Sequence, residues 1–136
     1  MAGTRRLVNL STRGSVGVGG EPLTAGFVVA GALPRRILVR GVGPGLGAFG
    51  VAGVIANPRV RLYQEQSVLR TNDNWYQEAD AASIGAAAAT TGAFPLGAQS
   101  LDAAFLIVLE PGAYTAQVDN QAGVTGIGLV EVYEVP

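Results

Sequence analysis

Short runs of β-branched and aromatic residues recur along the chain, and glycine, proline or Asn-Asp separates most of them. In Arg59–Gln64 the alternation is strict, with Val60 and Leu62 on one face and Arg61 on the other, which is typical of a half-buried strand. The pattern predicts strands at Arg5–Leu10, Thr24–Gly31, Arg35–Val42, Arg59–Gln64, Ser67–Thr71, Ala103–Leu109, Ala113–Val118 and Gly126–Val135. Seven or eight strands at this spacing predict an all-β fold, a β-sandwich or jelly roll of antiparallel strands with little helix.

Two segments depart from simple alternation. Ala103–Leu109 is apolar on both faces, which predicts a central strand that is covered on both sides. Gln77–Ala89 is rich in alanine, but Ile84 is its only large apolar residue, so it lacks an apolar stripe with which a helix docks. We expect a loop there with one or two helical turns. The whole chain, 1–136, is expected to form a single β-sandwich domain with one core.

The residue inventory argues against catalysis. The chain has no histidine and no cysteine, which excludes Ser-His-Asp triads, Cys-His pairs, thiolate or imidazole metal sites and disulfides. Gly45–Gly50 matches GxGxxG, but the strand predicted from Arg59 leaves no room for the helix that a dinucleotide site needs. We interpret this segment as a loop whose glycines adopt positive φ or approach another backbone closely. The sequence therefore predicts no enzyme and no organic cofactor.

Charge is scarce and unevenly placed. Charged residues make up 14% of the chain, against roughly 25% in ordinary domains. All nine basic residues are arginines within residues 1–70, whereas eight of the ten acidic residues lie in 71–136. Two interpretations stay open: the halves pair within one fold, or they pair head-to-tail between subunits. For a subunit interface, the candidates are Arg5, Arg6, Arg36, Arg40, Glu131 and Glu134.

The segment Thr71–Trp75 (TNDNW) has the composition of a metal-binding site. Asparagine and aspartate offer the hard oxygen ligands that Ca²⁺ prefers, and a nearby carboxylate could complete the shell. The candidate calcium ligands are Asn72, Asp73, Asn74, Glu78 and Asp80. The alternative interpretation is an Asx turn after a strand, with Trp75 folded over the edge of the core.

Several short sequence segments, taken together in this order, resemble a known type of protein module. They are NLSTRG (Asn9–Gly14), GFVVAG (Gly26–Gly31), RRILVRGVGPGLG (Arg35–Gly47), NDNW (Asn72–Trp75), GAYT (Gly112–Thr115) and TGIGLVEVY (Thr125–Tyr133). This series resembles a β-rich module of large secreted or surface bacterial proteins. From RLYQE through NDNW to PGAYTAQV, the chain is also similar to the bacterial pre-peptidase C-terminal domain. That family is a jelly-roll accessory module of secreted enzymes, and some of its members bind calcium. The resemblance implies a non-catalytic module that attaches, spaces or assembles other proteins or domains.

The expected function is that of a non-catalytic, extracellular or cell-surface structural module whose copies associate into a filament, array or other homo-oligomer. Exposed edge strands permit strand exchange between copies, for which Arg5–Leu10 and Gly126–Val135 are the candidate segments. The alternative is an accessory module that binds calcium or carbohydrate, with Trp75, Tyr76 or Tyr63 as a stacking platform.

Nucleic acid and membrane are not expected partners. The chain is net acidic, and its arginines are not interleaved with aromatic residues in a basic stripe. The long uncharged stretches Gly41–Pro58 and Ala81–Leu101 are interrupted by glycine and proline, so neither resembles a transmembrane helix. Met1–Arg6 lacks the apolar core of a signal peptide, so export would use a signal that is not in this sequence.

Overall fold

Two four-stranded antiparallel sheets stacked face to face make up the fold. It is seen in a computed structural model that describes residues 9–17, 21–121 and 123–136. The strands are β1 (Asn9–Val16), β2 (Leu23–Val29), β3 (Arg35–Val42), β4 (Pro58–Gln64), β5 (Ser67–Asn72), β6 (Ala103–Leu109), β7 (Gly112–Asn120) and β8 (Gly126–Val135). One α-helix, α1 (Ala81–Thr91), lies between β5 and β6, and two 3₁₀ helices cover Pro44–Phe49 and Trp75–Gln77. The predicted all-β sandwich is confirmed.

The strand order is that of a jelly roll. One sheet has the order β1-β8-β3-β6 and the other β2-β7-β4-β5. Contacts between the sheets place β1 over β2, β8 over β7, β3 over β4 and β6 over β5. Consecutive strands therefore tend to cross from one sheet to the other, as the two Greek keys of a jelly roll require.

The predicted strand bounds agree with the structure to within two residues, except at the first strand. The strand predicted at Arg5–Leu10 instead runs from Asn9 to Val16 in the structure, and residues 5–8 lie outside the described part of the chain. The polar residues of β1 continue the strand because each pairs with a residue of β8, from Asn9 with Tyr133 to Val16 with Gly126.

The main core lies between the sheets and follows from alternation. Every second residue of β2, β4 and β7 points inward, including Phe27, Leu62 and Tyr114, while their neighbours face solvent. We call β2-β7-β4-β5 the open sheet because its outer face is exposed. The other sheet, which we call the covered sheet, is largely buried on both faces at β3, β6 and β8.

The helix α1 covers the outer face of the covered sheet, and here the sequence prediction of a loop is wrong. Ile84, Ala87 and Ala88 are buried against a cluster that includes Leu38 and Tyr133. Two alanines and one isoleucine take the place of the usual stripe of large apolar residues on the buried face of this helix. Within the described ranges, no helix is long and apolar enough to cross a membrane.

The position predicted for β6 also needs correction. It is covered on both faces as expected, but it is an edge strand of its sheet rather than a central one. Its second face is covered by α1 at Ala104 and Leu106, whereas Val108 at the end of that face is 64% exposed. A run that is apolar on both faces therefore indicates coverage and not the place of a strand in its sheet.

Replacement of Ile84 tests the docking of α1. Ile84 is 2% exposed and is the one large apolar residue on the helix. Ile84→Ala is expected to lower the free energy of unfolding by about 3 kcal/mol, because it leaves a cavity against the covered sheet. Urea denaturation followed by circular dichroism measures the loss. The matched control Ser83→Ala, on the exposed side of the same turn, is expected to change stability by less than about 0.5 kcal/mol. Equal effects of the two variants would show that α1 is not docked.

Candidate functional site

A fully buried arginine lies beneath α1 on the outer face of the covered sheet. Arg40 stands on β3 directly opposite Glu131 on β8, and its Nε lies 3.0 Å from Glu131 Oε1. Tyr133 donates a hydrogen bond of 2.6 Å from its hydroxyl to Glu131 Oε2. On its other side, Arg40 Nη1 donates to the carbonyl oxygen of Phe94 at 2.7 Å, and the guanidinium carbon lies 4.5 Å from the centre of the Phe94 ring. The guanidinium is thus held by a strand, a ring and a backbone carbonyl.

Burial dominates the electrostatics of this cluster. Burial lowers the pKa of Arg40 although Glu131 favours its charged form. Burial also raises the pKa of Tyr133, and the hydrogen bond to Glu131 raises it further. At neutral pH Tyr133 is therefore a neutral hydrogen-bond donor.

A small cavity opens beside Arg40. It has a volume of about 70 Å³, and its walls are Trp75, three residues of α1 (Ile84, Gly85 and Ala88) and Pro95-Leu96. Arg40 Nη2 is buried and has no hydrogen-bond partner among the described residues. Trp75 is fixed at the cavity by a 2.9 Å hydrogen bond from its Nε1 to the carbonyl oxygen of Gly97. The cavity combines one cationic donor with apolar walls.

A buried aspartate organises the glycine-rich loop that matched GxGxxG. Asp102 Oδ1 accepts hydrogen bonds from the backbone N–H groups of Gly43 (2.8 Å) and Gly45 (3.1 Å), and its Oδ2 accepts one from Ser100 (2.9 Å). A Cβ on Gly43 would lie 2.2 Å from the carbonyl oxygen of Ile55, so this position requires glycine. Within the segment itself, Asp102 occupies the backbone donor of Gly45, and Gly50 has a positive φ of 78°, as predicted, at the end of the 3₁₀ helix.

The TNDNW segment caps the outer edge of β6. Asn72 Oδ1 accepts a 3.0 Å hydrogen bond from the backbone N–H of Ala104, and Arg70 Nη1 donates one of 3.1 Å to the carbonyl oxygen of Leu106. Glu78 holds both capping side chains, accepting from Asn72 Nδ2 at 2.8 Å and from Arg70 Nη2 at 2.5 Å. We call this arrangement the edge cap. It joins β5 of the open sheet to β6 of the covered sheet.

The structure joins four of the five candidate calcium ligands by hydrogen bonds, between Asn72 and Glu78, between Asn72 and Asn74, and between Asn74 and Asp73. Glu78 and Asn72 are used in the edge cap, and Asp73 Oδ2 accepts a 2.6 Å hydrogen bond from Gln121 Nε2. Asp80 stands instead at the N-cap position of α1, and Asn74 Nδ2 donates to Gln77 Oε1 at 3.3 Å. Among the described residues, no three acidic side chains are close enough to hold a metal ion.

The candidate interface residues are divided between surface and interior. Arg36 is exposed, whereas Arg40, Glu131 and Glu134 are buried in the single chain. Arg5-Arg6 lies outside the described residues. The ion pairs observed each join an arginine of the first half to an acid of the second half: Arg35–Glu134, Arg40–Glu131, Arg59–Asp119, Arg61–Asp119 and Arg70–Glu78. Among the described residues, charge pairing within the fold is the interpretation that the structure supports.

Sequence reasoning missed the roles of Asp102, Phe94 and the cavity. One signal was available at Arg40, which shares a strand face with Leu38 and Val42 in an apolar run. An arginine between apolar residues on one face indicates either a covered face with a buried partner or an interface, and the sequence left pairing within the fold and pairing between subunits both open. The cavity had no signal, since its walls come from distant segments.

Comparison with known proteins identifies a structural relative. No protein-family model and no curated protein matches the sequence. Among solved structures, the chain matches the pre-peptidase C-terminal domain of a collagenase from Bacillus anthracis, with a TM-score of 0.54 and 15% identity. In fold, the chain is similar to that domain. The match covers 92% of this chain and 89% of the pre-peptidase C-terminal domain, so the similarity extends beyond the second half to nearly the whole sandwich.

Removal of Asn72 tests the edge cap against the calcium interpretation. Asn72→Ala leaves the buried N–H of Ala104 without its acceptor, so we expect a loss of about 2 kcal/mol in the free energy of unfolding. The control Asp73→Ala removes only contacts at the surface and is expected to cost less than about 0.5 kcal/mol. Urea denaturation is measured in calcium and in EDTA. A stability that rises with calcium and is lost with Asp73→Ala would support the calcium interpretation and contradict ours.

The raised pKa of Tyr133 predicts a loss of stability in alkali. Because the folded-state pKa lies above the unfolded value of about 10, its contribution is complete below pH 10 and is lost as pH rises toward the folded pKa. The free energy of unfolding should therefore fall above pH 10. In Tyr133→Phe this fall should be shallower by up to about 1.4 kcal/mol per pH unit. Urea denaturation from pH 8 to 11.5 measures both slopes, and parallel slopes would refute the assignment.

Proposed function

We propose that the protein is a non-catalytic structural module of the bacterial cell exterior whose copies associate through the β1–β2 side of the sandwich. The similarity in fold to a pre-peptidase C-terminal domain, a non-catalytic module of secreted proteases, supports an extracellular and non-catalytic role. The observation that carries association is the difference between the two sides of the sandwich.

The β2 edge is open to a further strand. β1 and β2 are the outermost strands of their sheets on one side, and no other described strand pairs with their outer edges. β2 (LTAGFVV) carries no charge, proline or bulge, and its Val28 is 60% exposed. Natural sheets commonly protect such edges with charges, prolines or bulges. An unprotected, uncharged edge strand favours pairing with another chain.

The opposite side of the sandwich is protected. The edge cap occupies backbone groups of β6, and Trp75 adds a third contact by donating its backbone N–H to the carbonyl oxygen of Asp102 at 3.0 Å. β5 carries Arg70 and faces a register shift between Leu62 and Tyr63 of β4. Association is therefore expected at β1–β2 and not at β5–β6.

Strand exchange by Gly126–Val135 is not part of this proposal. β8 lies between β1 and β3, and both of its edges are already paired. Pairing of β2 with β2 of a second copy would close into a dimer, because the two edges satisfy each other. Pairing of β2 with β1 of the next copy would leave free edges and build an open array.

A lysine on β2 tests this proposal. Val28→Lys places a charge beside the unprotected edge and should raise the protein concentration at half-association at least fivefold, because repelling lysines approach each other on pairing. Added salt should partly reverse the effect through screening. Light scattering over a concentration series measures association, and its size distinguishes a dimer from an array.

Val108→Lys is the matched control, since Val108 is 64% exposed but lies on β6 at the protected side. It should leave association unchanged. A monomer of 13.8 kDa at all concentrations in the unmodified chain would overturn the proposal. So would equal effects of the two lysines.

A further inference from the structure

The cavity beside Arg40 has a donor that the fold leaves unused. The arginine side chain is fully buried, with Nε beside Glu131 and Nη1 bonded to the carbonyl oxygen of Phe94. Nη2 has no hydrogen-bond partner among the described residues, and Arg40 lines the cavity. A buried donor without an acceptor is costly, so a cavity lined by the residue that carries this donor favours a ligand with an acceptor atom.

The charge balance selects a neutral acceptor. Glu131 already neutralises Arg40 at 3.0 Å, and Asp102 adds further negative potential. An anion in the cavity would lose its hydration without a cation of its own to compensate, which is expensive in a buried site. A carbonyl oxygen accepts the same hydrogen bond at much lower desolvation cost.

The size and walls of the cavity restrict the group that carries this oxygen. The cavity volume of about 70 Å³ is larger than the roughly 10–15 Å³ that one water molecule needs. It suits a group of about four non-hydrogen atoms. Ile84, Ala88 and Leu96 give it apolar walls that favour a methyl group. A planar group with one carbonyl oxygen and one methyl satisfies both demands.

We propose that this cavity binds the acetamido group of a small neutral ligand, with the carbonyl oxygen accepting a hydrogen bond from Arg40 Nη2 and the methyl against Ile84 and Ala88. The cavity is partly open to solvent, so the remainder of the ligand lies outside. Such a group occurs in N-acetylated sugars and in N-acetylated amino acids. Trp75 at the wall of the cavity offers an aromatic surface to a sugar ring.

Titrations followed by amide NMR of the ¹⁵N-labelled protein test this inference. The probes are N-acetylglucosamine and N-acetylalanine amide, which distinguish the two sources, with glucose and acetate as controls that lack the neutral acetamido group. Dissociation constants in the millimolar range are expected for at least one acetamido probe, because the buried group is small. Shifts should centre on Trp75, α1 and Leu96. Glucose and acetate should bind at least tenfold more weakly.

Gly85→Leu is the blocking variant. Gly85 lines the cavity, and a Cβ there meets no heavy atom within 4 Å, so the position accepts a larger side chain at the cavity wall. The substitution also removes a glycine from a helix interior, which favours folding. It should weaken binding of the acetamido probe at least tenfold. Ala86→Leu, on the exposed neighbouring position, is the matched control and should bind normally.

The role of Arg40 is tested separately by the double variant Arg40→Met/Glu131→Met, which removes donor and counter-charge together. If it folds, acetamido binding should be lost; if it does not fold, the Gly85→Leu comparison decides. Three results would overturn the inference: no binding of either acetamido probe, stronger binding of acetate, or binding that Gly85→Leu leaves intact. None of these results bears on association through β2, which lies on a different part of the sandwich.

Discussion

The buried charge of Arg40 is the constraint around which the covered face is arranged. A guanidinium removed from water must be neutralised and hydrogen-bonded, and loss of one partner of such a pair typically costs about 3–5 kcal/mol. Here β8 supplies Glu131, and the segment after α1 supplies the carbonyl oxygen and ring of Phe94. The arginine therefore connects β3 and β8 to the layer that covers them. That layer consists of α1, the 3₁₀ helix at Trp75–Gln77 and the glycine-rich loop, which lie over the same buried polar cluster.

This arrangement makes the two sheets different in kind. The outer face of the covered sheet contacts α1 and the loop that is ordered by Asp102. The outer face of the open sheet is exposed to water. The two sides of the sandwich differ as well. Arg70 and Asn72 of β5 cap the edge of β6, whereas no described strand or edge cap covers the edge of β2. The domain therefore has one covered face, one capped side and one uncapped edge. Such asymmetry favours association at one place, the uncapped edge, over association at any point of the surface.

The parts of the fold that could be predicted are those in which each residue reports its own environment. Strict alternation in β4 and the apolar run of β6 located these strands because a side chain on a strand faces either core or solvent. The docking of α1 could not be predicted, since alanines at Ala87 and Ala88 give no contrast between buried and exposed positions. The edge cap was equally hidden: Asn72 has the composition of a calcium ligand, and only the neighbouring β6 shows that its oxygen is occupied. Functions set by pairing across sheets leave no periodic signal.

The composition of the cavity favours binding over turnover. General acid–base catalysis needs a group that can take up a proton and another that can release one near neutral pH. Among the described residues that line the cavity, Arg40 alone is titratable, and an arginine paired with Glu131 stays a cation. Tyr133, which could serve as an acid, is directed to Glu131 and has a raised pKa, so the proton stays where it is. The described residues present here a single arginine donor in an apolar recess, and among them none that lines the recess is a base or a nucleophile.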